Sequence, residues 1–578
     1  MLYSVVFSTL LAGFAAASVD CPIKPYDAAP GYQIACVYGD AKGVYENRLV
    51  KDIDVVGSTF SATLPFECIR QVGNADSPNG GAKWLGYNLN GKLCWVTEGN
   101  VQGEDKAECS RKRSRVEALE PKALDANMAA STAPTAKLFS PLSIADGKIE
   151  LSHRVVMAPM TRNRGVPLAK GTPEEPNRVW LADELVAEYY EQRASEGGLI
   201  ITEGIPPSIE AGAMPDVPGL FHESQVAGWK QVVDGVHAKG GFIYAQLWHA
   251  GRAAIPQMSG LPTVSASATP WDDDEKYPFR TPFTKEKIAY RDFPPKEMSV
   301  QDIEKTISDY VAAAKLAIKT GFDGIEVNGG NGNLPDQFLH SNINKRTDAY
   351  GGTPEKRCKF VLDLISALAS AIGASQIGVR LEPCGLYNHT RGSERVETWT
   401  HLCRELKKTH RLSYIHFIEP RFDRIDSEKE KEGFYASWSL PKVSNEVFRK
   451  AMGDTPCISA GGWDDKNCVS AVEEGRYDAL AFAKWFASTP DLPSRLKNGY
   501  PLEPYDRSRF YGGWDGRAKG YVDYPFWETS PLNTNSTDSK KRKLSGTGSA
   551  RNHAGEEKIV AAKEESGESK KRKGSGKA

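Results

Sequence analysis

A glycine pair, Gly461-Gly462, stands one strand ahead of a lysine, Lys484. Exposed backbone N–H groups with a cation close by are what a phosphate group needs. The bland alternative is a tight turn and a surface lysine whose stem lies along apolar surface. The same pattern of an apolar run ending in polar residues recurs upstream. Thr161 follows the first run, Glu203-Gly204 the second, and Gln246, Trp248 and His249 the third. Asn328, Asn331 and Asn333 come with the fourth, Arg380 and Glu382 with the fifth, His416 and Glu419 with the sixth.

The elements that must position these residues are eight short runs rich in Val, Ile and Phe. They fall at 155–160, 199–204, 242–248, 322–328, 377–383, 413–420, 456–462 and 477–483. Near-continuous apolar runs suit parallel strands buried on both faces. Helical spacing fills the intervals. Ile303, Ile307, Tyr310, Val311, Ala314 and Ile318 lie on one stripe behind a Ser299/Asp302 capping pair. Leu185, Tyr189 and Arg193 form a second stripe, and Trp229, Val232, Val233 and Val236 a third. Eight strand–helix units predict an α/β chain closed as a (β/α)₈ TIM barrel, with an open doubly wound sheet as the alternative. In a barrel the polar strand ends gather at one mouth, where the glycine pair and Lys484 occupy the usual phosphate position. The connection over 249–298 is long enough to be a functional cap.

Length alone, 578 residues, suggests about four domains, but one barrel takes about 250 residues or more. Composition is globular, and a net charge of -1 argues against a chain built wholly around nucleic acid. That balance is an average: the segment from Thr529 onward carries 12 Lys/Arg against 6 Asp/Glu, so the remainder is acidic. Residues 1–18 read as a secretory signal peptide without a basic n-region, the alternative being a buried first strand. Cys21, Cys36, Cys68, Cys94 and Cys109 then mark a small β-rich domain over 19–109, with two disulfides and one cysteine left over. Reduced core cysteines are the alternative there. Residues 110–136 read as a basic, Pro/Ala-rich linker, either a processing site or simply solvated, and 529–578 as a disordered basic tail. The tail repeats KKRK at 540–543 and 570–573, a nuclear-localisation or nucleic-acid pattern that a solvated tail explains equally. Asn388 and Asn535 begin N-x-T sequons that matter only in a secreted chain. Secretion is the expectation from the N-terminus, with a cytoplasmic location if that segment is unused or not joined to the barrel.

Seven segments together resemble the old yellow enzyme family of FMN-dependent ene-reductases, over about 138–528. They are LFSPLSI…HRVVMAPMTRNR (138–164), EYYEQRASEGGLIITEG (188–204), QLWHAGR (246–252), NGNLPDQFLHSNINKRTDAYGG (331–352), GVRLEP (378–383), SAGGW (459–463) and GYVDYPFWE (520–528). The resemblance implies a bound FMN and NADPH or NADH as hydride donor. It places Pro159, Met160, Thr161, Gly204 and Gln246 against the flavin, and Arg380 where its cation would stabilise the anionic hydroquinone. Gly461, Gly462, Ala483 and Lys484 take the phosphate positions. Asn328 and Asn331 occupy the pair that hydrogen-bonds a substrate carbonyl or phenolate oxygen, and Trp248 and Tyr521 the pocket walls. The implied partner is a small enone or related electrophilic alkene, with no metal.

Three departures from the family pattern bear on activity. Asn333 stands where the family usually has a proton-donating Tyr, and an amide is no general acid near neutral pH. Tyr521 is then the substitute donor to test. Ala483-Lys484 replaces Gly-Arg, keeping charge but losing the bidentate fork, and Gly461-Gly462 replaces Gly-Asn. The competing readings are a barrel that binds flavin or ligand without turnover, serving as a binding or interaction protein, and a Schiff-base aldolase using Lys484.

Overall fold

The structure is a computed structural model. It describes residues 136–533 apart from 173–174, 273, 280–287, 421–437, 439, 441 and 513–515, with the backbones of five short strands between 35 and 103. The expected signal peptide at 1–18, the expected linker at 110–136 up to residue 135, the five N-terminal cysteine side chains and both KKRK clusters lie outside the described residues. The chain divides into compact units Met1–Thr132 and Ala133–Ala578. In the first, Ala35–Tyr38 pairs antiparallel with Cys68–Gln71, and Trp84–Leu89, Lys92–Thr97 and Asn100–Gly103 form an antiparallel meander.

In the second unit eight parallel strands close into a barrel; seven fall inside the runs read from the sequence, and the fourth extends one residue past its run, to Gly329. They are β1 (Val155–Met157), β2 (Leu199–Ile201), β3 (Phe242–Leu247), β4 (Gly324–Gly329), β5 (Ile377–Leu381), β6 (Tyr414–Ile418), β7 (Cys457–Ala460) and β8 (Ala479–Phe482). β8 pairs back onto β1 through Leu480↔Val155 and Phe482↔Met157. The open-sheet alternative is thereby excluded.

Strand parity sorts the apolar residues into two cores. One alternate set, including Val155, Met157, Ile243, Leu247, Ile325, Val327, Val379 and Phe417, packs outward against the helices. The other, including Val156, Leu199, Ile201, Tyr244, Tyr414, Ile458 and Ala479, fills the barrel interior. Tyr244 and Tyr414 meet there with ring centroids 5.4 Å apart. Their bulk is possible because the neighbouring strands carry glycine: a Cβ on Gly324 would lie 2.5 Å from the Tyr244 ring, and one on Gly378 2.3 Å from that of Tyr414. A hairpin of Leu142–Ile144 and Ile149–Leu151 joins the interior core, closing the end of the barrel where the strands begin.

The helices after the strands include α1 (Glu184–Arg193), α2 (Glu223–Ala238), α3 (Val300–Thr320), α4 (Leu334–Leu339), α5 (Pro354–Ile372), α6 (Arg395–Thr409), α7 (Glu446–Met452), α8 (Cys468–Glu473) and α9 (Lys484–Ser488), with further short helices at Pro256–Ser259 and Leu492–Asn498. On α3 the expected capping box is present: Asp302 N–H donates to Ser299 Oγ at 3.1 Å and Ser299 N–H to Asp302 Oδ2 at 2.9 Å. Its buried stripe is Ile303, Thr306, Tyr310, Ala313, Ala314, Ala317 and Thr320, so Ile307, Val311 and Ile318 sit at the margin. Small residues line the centre because α3 packs closely on β3 and β4. The 249–298 connection builds a core of its own from Ile255, Met258, Trp271, Tyr277 and Tyr290 over the end of β3. The five cysteines of this unit are buried free thiols. Among the described residues no helix is long and apolar enough to cross a membrane.

Candidate active site

The register brings the inward residues of neighbouring strands to common heights. Gln246 pairs with Glu326, and Asn328, Arg380 and His416 lie side by side across β4, β5 and β6. Immediately above the tyrosine layer this makes the interior polar. Gln246 Nε2 donates to Glu326 Oε1 at 2.7 Å, His416 Nδ1 lies 2.8 Å from Glu326 Oε2, and Asn328 Nδ2 donates to Gln246 Oε1 at 3.1 Å. Burial alone would raise the Glu326 carboxyl, but His416 and Arg380 hold it below the usual carboxylate range. Burial also lowers the His416 pKa, leaving a neutral ring that donates from Nδ1. The layer is thus an ionised Glu326 facing the Arg380 cation.

Arg380 is the unspent group. It is half-buried, its Nε is shut off from water without a partner, and its side chain makes no hydrogen bond among the described residues. A guanidinium held this way is poised for an acceptor arriving from the mouth. Around the rim, Pro159, Met160 and Thr161 are half-buried beyond the fully buried end of β1. Gly204 lies against Trp248, whose ring a Cβ there would approach to 2.9 Å. Gly461 and Gly462 both adopt positive φ, 127° and 87°, and a Cβ on Gly462 would meet nothing within 4 Å. Ala483 and Lys484 are exposed, and Lys484 has aromatic neighbours (Nζ 5.3 Å from the Tyr505 ring centroid) but no carboxylate partner among the described residues. Exposed amides and one unpaired cation fit a phosphate, while Arg380 and Gln246 fit the polar edge of a flavin ring. The residues present therefore suit FMN.

The loop after β4 carries the three asparagines, and they differ in what they can do. Asn331 is left-handed (φ 56°), half-buried, and its side-chain amide makes no hydrogen bond among the described residues. The Asn328 amide donates to Gln246 and its Oδ1 accepts the Gly330 N–H at 3.3 Å. Asn333 is 5% exposed and committed: Trp248 Nε1 donates to its Oδ1 at 2.7 Å, and its Nδ2 donates to Gly330 O at 2.9 Å. Asn333 thus holds the indole wall and the loop together.

Tyr521 does not line the mouth, contrary to the reading from its motif. It is fully buried, stacked on Tyr189 with centroids 4.1 Å apart, and flanked by the guanidinium carbons of Arg162 and Arg164 at 5.1 and 5.0 Å. Burial raises its phenol pKa well above the ordinary value, so its proton is held tightly. Tyr511, by contrast, is about half exposed, its ring edge on Phe279, which packs against the core of the 249–298 connection. It is placed there by its neighbours: Arg162 Nε donates to Phe510 O at 2.9 Å, and Gly512 packs on the backbone of Asn163, where a Cβ would come within 1.8 Å of the carbonyl oxygen. The signal for Tyr511 was the glycine that follows it, which only a close backbone approach requires. Beneath, Glu203 accepts the Arg162 N–H at 3.2 Å, and burial pushes its carboxyl up to about 7.

Comparison with known proteins agrees with this geometry. Residues 137–503 match the model of the NADH:flavin oxidoreductase / NADH oxidase family. Flavin oxidoreductase hxnT of Emericella nidulans is 43% identical over 405 residues, 68% of this chain and 99% of its own. Chanoclavine-I aldehyde reductase fgaOx3 of Penicillium roqueforti is 37% identical over 408 residues, 68% and 96%. A putative 12-oxophytodienoate reductase 5 of Oryza sativa is 36% identical over 400 residues, 69% and 97%. Among solved structures, morphinone reductase in complex with tetrahydroNAD is 35% identical with a TM-score of 0.57, covering 68% of this chain and 98% of that one. The old yellow enzyme homologue from Zymomonas mobilis aligns with the same score at 30% identity, over 67% and 99%. The chain belongs to this family, the old yellow enzymes, and is an NAD(P)H-dependent flavin oxidoreductase.

Proposed function

We propose that the protein takes hydride from NADPH or NADH and reduces the C=C bond of small α,β-unsaturated carbonyl compounds, with FMN as the resident cofactor. The observation that carries this reading is the unpaired Arg380 cation at the mouth with the uncommitted amide of Asn331 on the loop beside it. FMN, when bound, supplies hydride acceptance and donation. Gly461, Gly462 and Lys484 would hold its phosphate; Pro159, Met160, Thr161, Gly204, Gln246 and Arg380 its ring. Asn331 donates to the substrate carbonyl oxygen, with the second N–H of the Asn328 amide beside it, and draws electron density from the alkene. Trp248, held by Asn333, walls the pocket. The proton that completes the reduction comes from solvent at the mouth or from Tyr511, because Asn333 has no acidic proton and Tyr521 is buried.

The test uses the full chain loaded with FMN. A yellow protein bleached by NADPH and recoloured by 2-cyclohexenone supports the reading. Bleaching without recolouring by the enone would sink it in favour of a ligand-binding barrel. An Asn333→Tyr variant is expected to speed the enone half-reaction by about 10-fold where proton transfer limits it, measured by stopped-flow absorbance. An unchanged rate would show that Tyr511 or water already delivers the proton. We further propose entry into the secretory pathway through residues 1–18, with the cytoplasm as the alternative. Mass analysis of the native protein decides this, since an intact Met1 would exclude cleavage.

A further inference from the structure

The turn that presents Asn331 is clamped on three sides by side chains that the reaction itself does not call on. Asn331 N–H donates to Glu382 Oε2 at 2.6 Å, and Gly332 N–H donates to Asp336 Oδ2 at 2.9 Å. Asn331 O accepts from Asn388 Nδ2 at 2.8 Å. Asn331 and Gly332 are consecutive left-handed residues, φ 56° and 66°, a conformation that a non-glycine residue holds at a cost of about 1 kcal/mol or more. Both acceptors come from rigid elements. Glu382 follows β5 and, by the Asn328↔Arg380 register, stands beside Gly330, where a Cβ would come 2.8 Å from its own. Asp336 lies in the first turn of α4.

We propose that Glu382 is a positioning residue for carbonyl binding, its carboxylate fixing the Asn331-Gly332 turn so that the Asn331 amide faces the substrate oxygen, with Asp336 holding the same turn from α4. The inference rests on the carbonyl-binding role given to Asn331 above. A carboxylate accepts an N–H bond about twice as strongly as a neutral carboxylic acid does. The groups facing Glu382 are Asp336 from α4, Arg380 from β5, Arg395 from α6 and the neutral thiol of Cys384. Those facing Asp336 are Arg395, Glu382 and His340, whose Nε2 is 3.4 Å from Asp336 Oδ1. Burial, and then the Asp336 charge, push Glu382 up to about 7, and burial pushes Asp336 to about 7 as well. Each raised carboxyl takes up a proton as pH falls through that value. The clamp is therefore strongest above about pH 7 and loosens below it.

The test is a titration of the oxidised, FMN-loaded full chain with 2-cyclohexenone from pH 5.5 to 8.5, about 1.5 units either side of that midpoint, followed by flavin absorbance without nicotinamide. Cyclohexenone does not titrate in this range, and the readout is binding rather than turnover. The wild type is expected to bind about 10-fold more weakly at the acid end. Glu382→Gln should bind at the weak level throughout, with no pH dependence. Asp336→Asn should keep the pH dependence but move its midpoint to lower pH, a shift that a merely structural role would not produce. Equal affinity in Glu382→Gln and wild type at the alkaline end would overturn the proposal. So would an unmoved midpoint in Asp336→Asn, which decides the matter by itself if Glu382→Gln fails to take up FMN. Tight, pH-dependent binding with no NADPH-driven loss of the enone would sink the reductase reading alone. Normal turnover with binding indifferent to pH and to Glu382→Gln would sink the positioning role alone.

Discussion

Replacing Arg380 with leucine is expected to leave a folded barrel whose bound FMN is reduced by NADPH at least about 100-fold more slowly, with a lower flavin midpoint potential. Arg380 is a cation lifted partly out of water, with Glu326 as its opposing charge and no hydrogen bond from its side chain to the described protein. Such a group is costly to keep unless a ligand uses it. Its height, level with Asn328 and His416, puts it at the boundary between the barrel interior and the mouth. Removing it deletes the one positive charge at that level among the described residues, while Glu326 keeps its His416 and Gln246 contacts. Stopped-flow reduction and a redox titration of the same preparation read the two effects. A variant with wild-type potential and rate would show that Arg380 is not the flavin's counter-charge.

The second large effect concerns stability. An Arg193→Leu variant is expected to be destabilised by about 3–6 kcal/mol, or to fail to accumulate, whereas Arg193→Lys should recover part of the loss. Arg193 is 1% exposed. Its Nε donates to Phe486 O at 2.8 Å, and Nη2 to Ala487 O at 2.7 Å and Tyr521 O at 3.0 Å. Nη1 donates to Tyr189 O at 3.0 Å. One side chain thus ties α1, the end of α9 and the C-terminal segment together, and its guanidinium carbon lies 3.8 Å from the Tyr189 ring centroid. Leucine would leave these carbonyls buried and unpaired, each at a cost of about 1–3 kcal/mol. Denaturant unfolding of the variant measures the loss. A change below about 1 kcal/mol would mean that water or neighbouring donors replace the arginine.

Arg193 also shows where reading a sequence succeeds and where it stops. Its place on the α1 stripe with Leu185 and Tyr189 is legible from spacing, and the stripe does face inward. That this charged residue would be buried more completely than Leu185 is not legible. Three of the four carbonyls that solvate it come from residues about 290 to 330 positions away. The burial of Tyr521 is hidden from the sequence for the same reason. Its motif resembles the family's, yet a local pattern does not say which face of the chain a ring takes. Only the stack on Tyr189 and the flanking arginines decide that. Tyr511, by contrast, gave little local signal and was positioned by Gly512 against Asn163, a contact across 349 residues of chain.

By itself the sequence determined the eight-unit barrel, the strand ends that carry polar groups, the glycine pair with Lys484, and the family. These depend on period, composition and local motif, which are properties of neighbouring residues. The tertiary structure decided which polar groups remain free for chemistry. Asn328, Asn331 and Asn333 are the same residue type within six positions, but one is tied to Gln246, one to Trp248, and Asn331 alone keeps an unspent amide. Glu382 likewise reads as one more polar strand end until the register sets it beside Gly330 and under the Asn331 N–H. Whether a polar group is spent or available depends on partners brought in from other strands, and strand register in a closed barrel is fixed only once the whole barrel closes.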